Sequence, residues 1–323
     1  MPELPEVETT VSGLKKVLKG LSLKDVWSDY PLSTHAGKQH IKNPLYYKKF
    51  REIITNKKVI GIRRRGKNIL IDLKGGHTIL IHMKMTGHLL YGKYKRTDNK
   101  QPTTNNKGKE TWELHSEEKK DGPLADPFNR FIRLVFTLSN GKHLAFSDLR
   151  KFAKVMISPS KEIEKAAGLD VIGPEPLENS FTLETFRKRL SLKTNWKIKQ
   201  VLMDQSVIAG IGNIYSDEIL FEAEIHPSEA VQNIPAEKIK KAYVATKKIL
   251  KTSIGLGGDS MSDYRNINGE RGGFQNKHKA YRQTGKPCSK KGCGGTIVRI
   301  KQGGRSAHFC SHHQQLLRKK LRV

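Results

Sequence analysis

The sequence predicts a multidomain α+β chain: a leading helix with an antiparallel β block, then a helical region, then a small terminal hairpin module. Three observations carry that prediction. Short apolar runs separated by hairpin-turn residues fill 22–157, helical amphipathic patterning fills about 160–256, and all three cysteines lie after residue 287.

Taken in order, Pro5 suits the first turn of a helix, and Val7, Val11, Leu14 and Leu18 repeat at helical spacing behind it. Residues 22–157 then read as mostly strand. Lys58–Ile62, Ile69–Leu73 and Thr78–His82 are short apolar runs, with Gly75-Gly76 as a turn between the last two. Phe131–Phe136 and His143–Phe146 flank Ser139-Asn140-Gly141, a second hairpin signal. The stretch Tyr94–Pro127 is rich in Lys, Asn, Thr, Gly and Pro, and is expected to be a long, mobile polar loop.

Gly173-Pro174-Glu175-Pro176 reads as a hinge into the helical region. Long amphipathic stretches are expected around Leu183–Gln205 and Ala236–Ser253, separated by a glycine turn at Gly210-Ile211-Gly212-Asn213. Such a turn brings backbone amides close to another surface, and the following helix N-terminus suits a phosphate oxygen. Gly255–Gln275 is glycine-rich and is expected to be a flexible loop.

In the last module, Cys288-x4-Cys293 precedes a 16-residue spacer and Cys310-x2-His313. Two ligand pairs bracketing a short hairpin form a structural zinc pattern, here of Cys3His type, with His312 as the competing fourth ligand. Metal binding would supply the folding energy that so small a module lacks. Thr296–Ile300 alternates like a strand, and the turn Gln302-Gly303-Gly304-Arg305 pushes a guanidinium outward.

Charge sets the class of partner. Lys and Arg number 60 against 31 Asp and Glu, a formal net charge of +29. A basic excess of that size points to a polyanion, nucleic acid by default. No stretch approaches the ~20 apolar residues of a membrane span, the opening lacks the apolar run of a secretory signal, and the few cysteines point to a reduced cytosol.

The opening Met1-Pro2-Glu3-Leu4-Pro5-Glu6-Val7-Glu8-Thr9 carries the chemistry. Once Met1 is removed, Pro2 presents a secondary amine beside the carboxylates of Glu3 and Glu6. An α-amino group titrates near pH ~8, so part of it is nucleophilic at neutral pH. Attack on a sugar carbon by such an amine gives an iminium, an electron sink for elimination.

Together these residues resemble the formamidopyrimidine-DNA glycosylases, related to endonuclease VIII. The resemblance runs through the opening, Arg64-Arg65-Gly66-Lys67, His82-Met83-Lys84-Met85-Thr86-Gly87, Asp148-Leu149-Arg150-Lys151-Phe152, Gly173–Leu177, Gly210–Tyr215, and Gly303-Gly304-Arg305 ahead of Cys310. It implies an N-terminal helix plus antiparallel β-sandwich, a helix–two-turn–helix domain and a C-terminal zinc β-hairpin, with DNA in a positive cleft between. The expected boundaries are 1–158 with an insertion at 94–127, a linker at 159–176, 177–282 with a lesion-capping loop, and 283–323.

The resemblance also implies roles. Pro2 would be the nucleophile, Glu3 the general acid, Lys67 the lesion-contacting lysine, Arg305 a further member of the catalytic group, and Glu6 a lesion-positioning residue. Met85, Arg150 and Phe152 match residues that fill the void left by a flipped base. Lys199, Asn213 and Arg305 match phosphate-gripping positions, and the loop Gly257–Tyr264 matches the segment that closes over the flipped base. One structural zinc on Cys288, Cys293, Cys310 and His313 is implied, with no catalytic metal.

The implied protein is a monomeric repair enzyme of the cytoplasm, associated with the nucleoid, that excises oxidised purines from damaged double-stranded DNA and cuts the strand by β,δ-elimination. The alternatives are an endonuclease VIII-like enzyme for oxidised pyrimidines and an inactive damage-binding protein. The chain departs from the family pattern in its wide first cysteine pair, His313 in place of cysteine, Leu149 where proline is common, its longer 94–127 connection and its residues after Gln314.

Overall fold

The computed structural model describes residues 1–35, 37–98, 110–118 and 120–317. The described chain forms two compact units. The first comprises Met1–Pro2, Glu6–Asp170 and Gly257–Gly272; the second comprises Glu3–Pro5, Val171–Leu256 and Gly273–Val323.

In chain order the first unit holds α1 (Leu4–Leu18, from Glu6 on), β1 (Ser22–Ser28), α2 (Pro44–Ile54), β2 (Lys57–Arg65), β3 (Asn68–Leu73), β4 (His77–His82) and β5 (His88–Gly92). It continues with β6 (Tyr94–Asp98), β7 (Glu110–Leu114), β8 (Ile132–Leu138), β9 (His143–Ser147), β10 (Lys154–Pro159) and α3 (Ile163–Ala167). Eight strands follow the order β10-β4-β3-β2-β1-β8-β9-β5. All neighbours are antiparallel, but β1 and β2 share only the pairs Ser22–Lys58 and Leu23–Lys57. The array therefore divides into two four-stranded halves, and one core of residues from both halves lies under α1. This is the sandwich the resemblance implies. Val7, Val11, Leu14 and Leu18 are fully buried in it, each contributing about 1.5–3 kcal/mol. Gly75, Gly76 and Gly141 take positive φ at the two predicted hairpin turns.

Helix α2 was not foreseen within the strand block. Its signal is present in the sequence: Asn43 caps the Leu45 amide at 3.1 Å and Pro44 occupies the first turn.

The expected mobile loop at 94–127 is largely ordered. Its flanks pair as the ribbon β6–β7, from Tyr94–Leu114 to Asp98–Glu110. Tyr94, Trp112, Leu114 and Leu124 cover Leu90, Ile132, Val135 and Ala145 on the sheet. A ribbon buried on one face needs only a few apolar residues, so polar composition concealed it. Residues 99–109 and 119 of that expectation lie outside the described residues.

The ribbon ends in a pair of 3-10 turns, Pro123–Ala125 and Pro127–Arg130, locked by Asn129. Its Nδ2 donates to Pro123 O at 2.9 Å, and its Oδ1 accepts from His88 Nε2 at 2.9 Å. Burial pushes the His88 imidazole down to about 4. Because the folded state disfavours the charged ring, stability is full above pH ~6.5 and declines as pH falls toward 4, by about 3 kcal/mol at most. Urea midpoints measured across that window are expected to fall with pH, and His88→Gln is expected to flatten the slope.

The second unit holds α4 (Leu183–Leu190), α5 (Ile198–Met203), α6 (Asn213–Glu222), α7 (Ala236–Gly255), β11 (Ile297–Gln302) and β12 (Arg305–Cys310). The expected helix at Leu183–Gln205 is broken between Leu190 and Ile198, where Lys197 turns extended and bridges to Ala230. Leu4 joins this unit's core with Ile211, Tyr215 and Ile219. Glu218 on α6 accepts the amides of Lys279, Ala280 and Tyr281, anchoring the approach to β11. Among the described residues no helix is long and apolar enough to cross a membrane.

Candidate active site and metal centre

The opening residues are held differently in the two units. In the second unit, Glu3 is buried and its Oε1 accepts the Ile214 amide at 2.9 Å, at the N-terminus of α6. The Leu4 amide donates to Gly210 O at 3.0 Å. The glycine turn thus serves the chain's own carboxylate: a Cβ at Gly212 would stand 2.3 Å from the Glu3 carboxyl carbon. At the helix N-terminus expected to suit a phosphate oxygen, the Ile214 amide is already taken by Glu3. Gly212→Ala should destabilise the chain by about 3 kcal/mol through this overlap. An unchanged Tm would mean that the Glu3 carboxylate has room to move.

In the first unit, Pro2 and Glu6 are buried. Glu6 Oε1 accepts the Asp259 amide at 2.8 Å, and Tyr264 OH donates to Glu6 O at 3.0 Å. Gly258, at φ +86°, lies so near that a Cβ would sit 3.0 Å from Glu6 Oε1. The segment after α7 was expected to be flexible, yet Tyr264 and Arg265 are buried and the glycines serve close approach. Lys67 occupies the β2–β3 turn beside Gly66, at φ 55°, and is buried. Arg64, near the end of β2, pairs with Glu8 at 2.6 Å.

His82, the last residue of β4, opens the motif that carries Met85 but has no role implied by the resemblance. Burial, then the charges of Lys84 and Lys67, push its imidazole down to about 3. Its Nδ1 accepts the Lys84 amide at 3.0 Å, so the neutral ring carries its proton on Nε2.

Met85 from one motif and Arg150 and Phe152 from another come together. Arg150 Nη1 lies 3.3 Å from Met85 Sδ, and its guanidinium stacks 4.5 Å from the Phe152 ring centroid. Met85 and Phe152 are 44% and 49% exposed, too open for core residues. Their loops are fixed by Asp148, which opens the second motif and has no role implied by the resemblance. Its buried carboxylate accepts Thr86 Oγ1 at 2.6 Å, Tyr30 OH at 2.7 Å and the Ala153 amide at 3.0 Å. An apolar, cationic wedge is thus displayed on a rigid base.

Lys199, matched to a phosphate-gripping position, does not lie open at the surface. It is buried, with Nζ 2.5 Å from Asp217 Oδ1 and 2.6 Å from Ser306 O. Burial lowers its pKa against the pull of Asp217. Asp217 also accepts His308 Nδ1 at 2.9 Å, so α5, α6 and β12 share one buried polar knot. Arg305, next to Ser306, is exposed at the Gly303-Gly304 turn, where both glycines have positive φ. Asn213 opens α6 and is half-buried.

The ligand atoms of Cys288, Cys293, Cys310 and His313 lie within 4.8 Å of one another. His313 Nδ1 is 3.5 Å from Cys288 Sγ and 3.4 Å from Cys293 Sγ, and Cys293 Sγ is 3.6 Å from Cys310 Sγ. A tetrahedral zinc with ~2.3 Å bonds to sulfur has edges of about 3.8 Å, so the set fits. His313 rather than His312 completes it. The His313 ring holds the Cys293 thiol down at about 5, while burial pushes Cys288 up to about 11, a cost that a bound cation reverses. Amides of Lys290 and His312 point at the Cys288 and Cys310 sulfurs.

Three family models match this chain. The formamidopyrimidine-DNA glycosylase N-terminal domain matches 1–155, the formamidopyrimidine-DNA glycosylase H2TH domain 172–265, and the zinc finger found in FPG and IleRS 285–312. A formamidopyrimidine-DNA glycosylase of Pelotomaculum thermopropionicum is 34% identical, covering 98% of this chain and 100% of the relative. A Lactococcus lactis FPG mutant bound to a Fapy-dG containing DNA superposes with a TM-score of 0.75 at 29% identity, covering 97% of this chain and 100% of the other. A structure of MutM in complex with carbocyclic 8-oxo-G containing DNA gives 0.74 at 30% identity, with the same coverage.

Proposed function

Because the chain belongs to the formamidopyrimidine-DNA glycosylase family, we propose that its own Pro2, Glu3 and Lys67 carry out the excision of oxidised purines from duplex DNA and the cleavage of the resulting abasic strand. The enzyme is a bifunctional DNA glycosylase and abasic-site lyase of base-excision repair. It binds damaged double-stranded DNA and carries one structural zinc. It acts as a single chain in the cytoplasm, where its DNA substrate places it with the nucleoid.

With Met1 removed, the Pro2 nitrogen becomes an amine that attacks C1′ of the damaged nucleotide. Glu3 protonates the opening sugar ring as the base departs, leaving a Schiff base between Pro2 and the sugar. Successive β- and δ-elimination then release the strand ends. The observation that carries this reading is the seating of Glu3: one peptide bond from Pro2, buried, and oriented by the Ile214 amide. A carboxyl group with a fixed orientation, on the residue next in the chain to the nucleophile, is what general acid catalysis needs.

Glu6 and the loop it holds would position the lesion, and the Met85–Arg150–Phe152 wedge would fill the vacated stack. Arg305 would grip phosphate from its hairpin, with Asn213 at the start of α6. Lys199 would act one step removed, by fixing the carbonyl beside Arg305. The zinc, when bound, supplies folding energy to that hairpin and takes no part in the reaction.

The test is product analysis with the mature chain on a duplex bearing one 8-oxoguanine opposite cytosine. A one-nucleotide gap with phosphate at both ends is expected. An intact 8-oxoguanine strand alongside a cut thymine-glycol strand would move the enzyme to oxidised pyrimidines. Tight binding without any cutting would leave a damage-binding protein.

A further inference from the structure

The ribbon that departs from the family pattern ends against the loop that holds Glu6, and one side chain joins them. Arg265 is 2% exposed, among the largest buried side chains in the chain. Its Nε and Nη2 each lie 2.9 Å from Asp126 Oδ2, in the 3-10 turns that close the ribbon. Its Nη1 donates to Ser262 O at 3.1 Å and Tyr264 O at 2.9 Å, and the guanidinium stacks 4.9 Å from the Phe128 ring centroid.

Both ends of this bridge are fixed. On the ribbon side, Asp126 Oδ1 caps the Phe128 amide at 2.9 Å, and Asn129 ties the turns to His88. Gly269 packs so close that a Cβ would meet Pro123 O at 2.5 Å. On the loop side, Ser260 Oγ donates to Tyr264 O at 2.8 Å and accepts the Gly272 amide at 2.8 Å. The loop's first turn then delivers the Asp259 amide to Glu6.

We infer that Arg265, paired with Asp126, is a positioning residue that sets the conformation of the 257–264 loop on Glu6 and so governs which base is accepted for excision. Only arginine offers enough donors in one plane to hold a carboxylate and two carbonyls at once. Removing the buried Arg265 leaves the Ser262 and Tyr264 carbonyls and the half-buried Asp126 carboxylate without their shared donor, so the loop must rearrange. Abasic-site cleavage has no base to read and does not need the loop in this shape. The inference rests on the proposed function, because it assigns the loop to lesion reading.

The experiment compares wild type, Arg265→Gln and Arg265→Lys as full chains in single turnover on two duplexes, one with 8-oxoguanine and one with a preformed abasic site. Arg265→Gln is expected to slow excision by ~10-fold or more, since small misplacements near a reacting centre are costly, while abasic cleavage stays within ~2-fold. Arg265→Lys should recover part of the loss. Hydrogen exchange of the 259–264 amides in the DNA-free protein is expected to rise ~10-fold in Arg265→Gln. Equal losses in both reactions, or undiminished excision, would overturn the positioning role. Unchanged exchange would overturn the clamp. A wild type inert on both duplexes would instead overturn the functional reading and the selection role with it, and exchange would still decide the clamp.

Discussion

Glu3→Gln is expected to slow 8-oxoguanine excision by about 10²–10⁴-fold, the usual worth of a positioned general acid, with a much smaller loss in cleavage of a preformed abasic site. Glutamine keeps the size of the side chain and the oxygen that accepts the Ile214 amide at 2.9 Å. It cannot deliver a proton to the opening sugar. The second reaction starts from a sugar that already opens spontaneously, so it leans less on that proton. Single-turnover rates on the two substrates check the prediction. Equal loss in both would remove Glu3 from its role as the acid of the first step.

Loss of the metal site should be almost as damaging, through binding rather than chemistry. His313→Ala leaves three thiols and is expected to lower zinc affinity by ~100-fold or more. The core around β11 and β12 is small: Phe221, Ala280, Cys288, Ile297 and Cys310. With the metal gone, that cluster cannot keep the Gly303-Gly304 turn and Arg305 in place. Duplex affinity should fall ~10-fold or more, while Glu3 and its helix remain folded. Zinc content by atomic absorption and binding by anisotropy measure the two effects. Full zinc in His313→Ala would pass the ligand role to His312, whose Nδ1 lies 3.6 Å from Cys293 Sγ.

Much of this was legible in the sequence, for identifiable reasons. Helix α1 declared itself through four apolar residues on one face, and the hairpins through glycines that must adopt positive φ. The wedge was legible only as motifs. No pattern announces that Met85 and Arg150, 65 positions apart, lie 3.3 Å from one another. The ribbon β6–β7 was missed because its apolar residues are sparse and buried on a single face. Gly255–Gln275 was misjudged because glycine permits both flexibility and close packing, and only tertiary contacts decide which. Lys199 shows the limit of matching a lysine to a phosphate site by motif position. Beside Asp217 it is a buried strut, and one lysine among many gives no local sign of that.

The residues still conjectural from sequence are now tied to particular neighbours. Glu3 depends on Gly212 for space, Glu6 on Gly258 and the Asp259 amide, and Arg305 on the knot of Lys199, Asp217 and His308. Each dependence is a separate point of failure, so variants at the supporting residue should mimic loss of the supported one.

The most direct test of the central claim is borohydride reduction of the mature enzyme on a duplex carrying 8-oxoguanine opposite cytosine, followed by peptide mapping. The account predicts a covalent protein–DNA adduct at the peptide that begins with Pro2. An adduct mapping to a lysine, or none from correctly processed protein that still cuts the strand, would contradict Pro2 as the nucleophile.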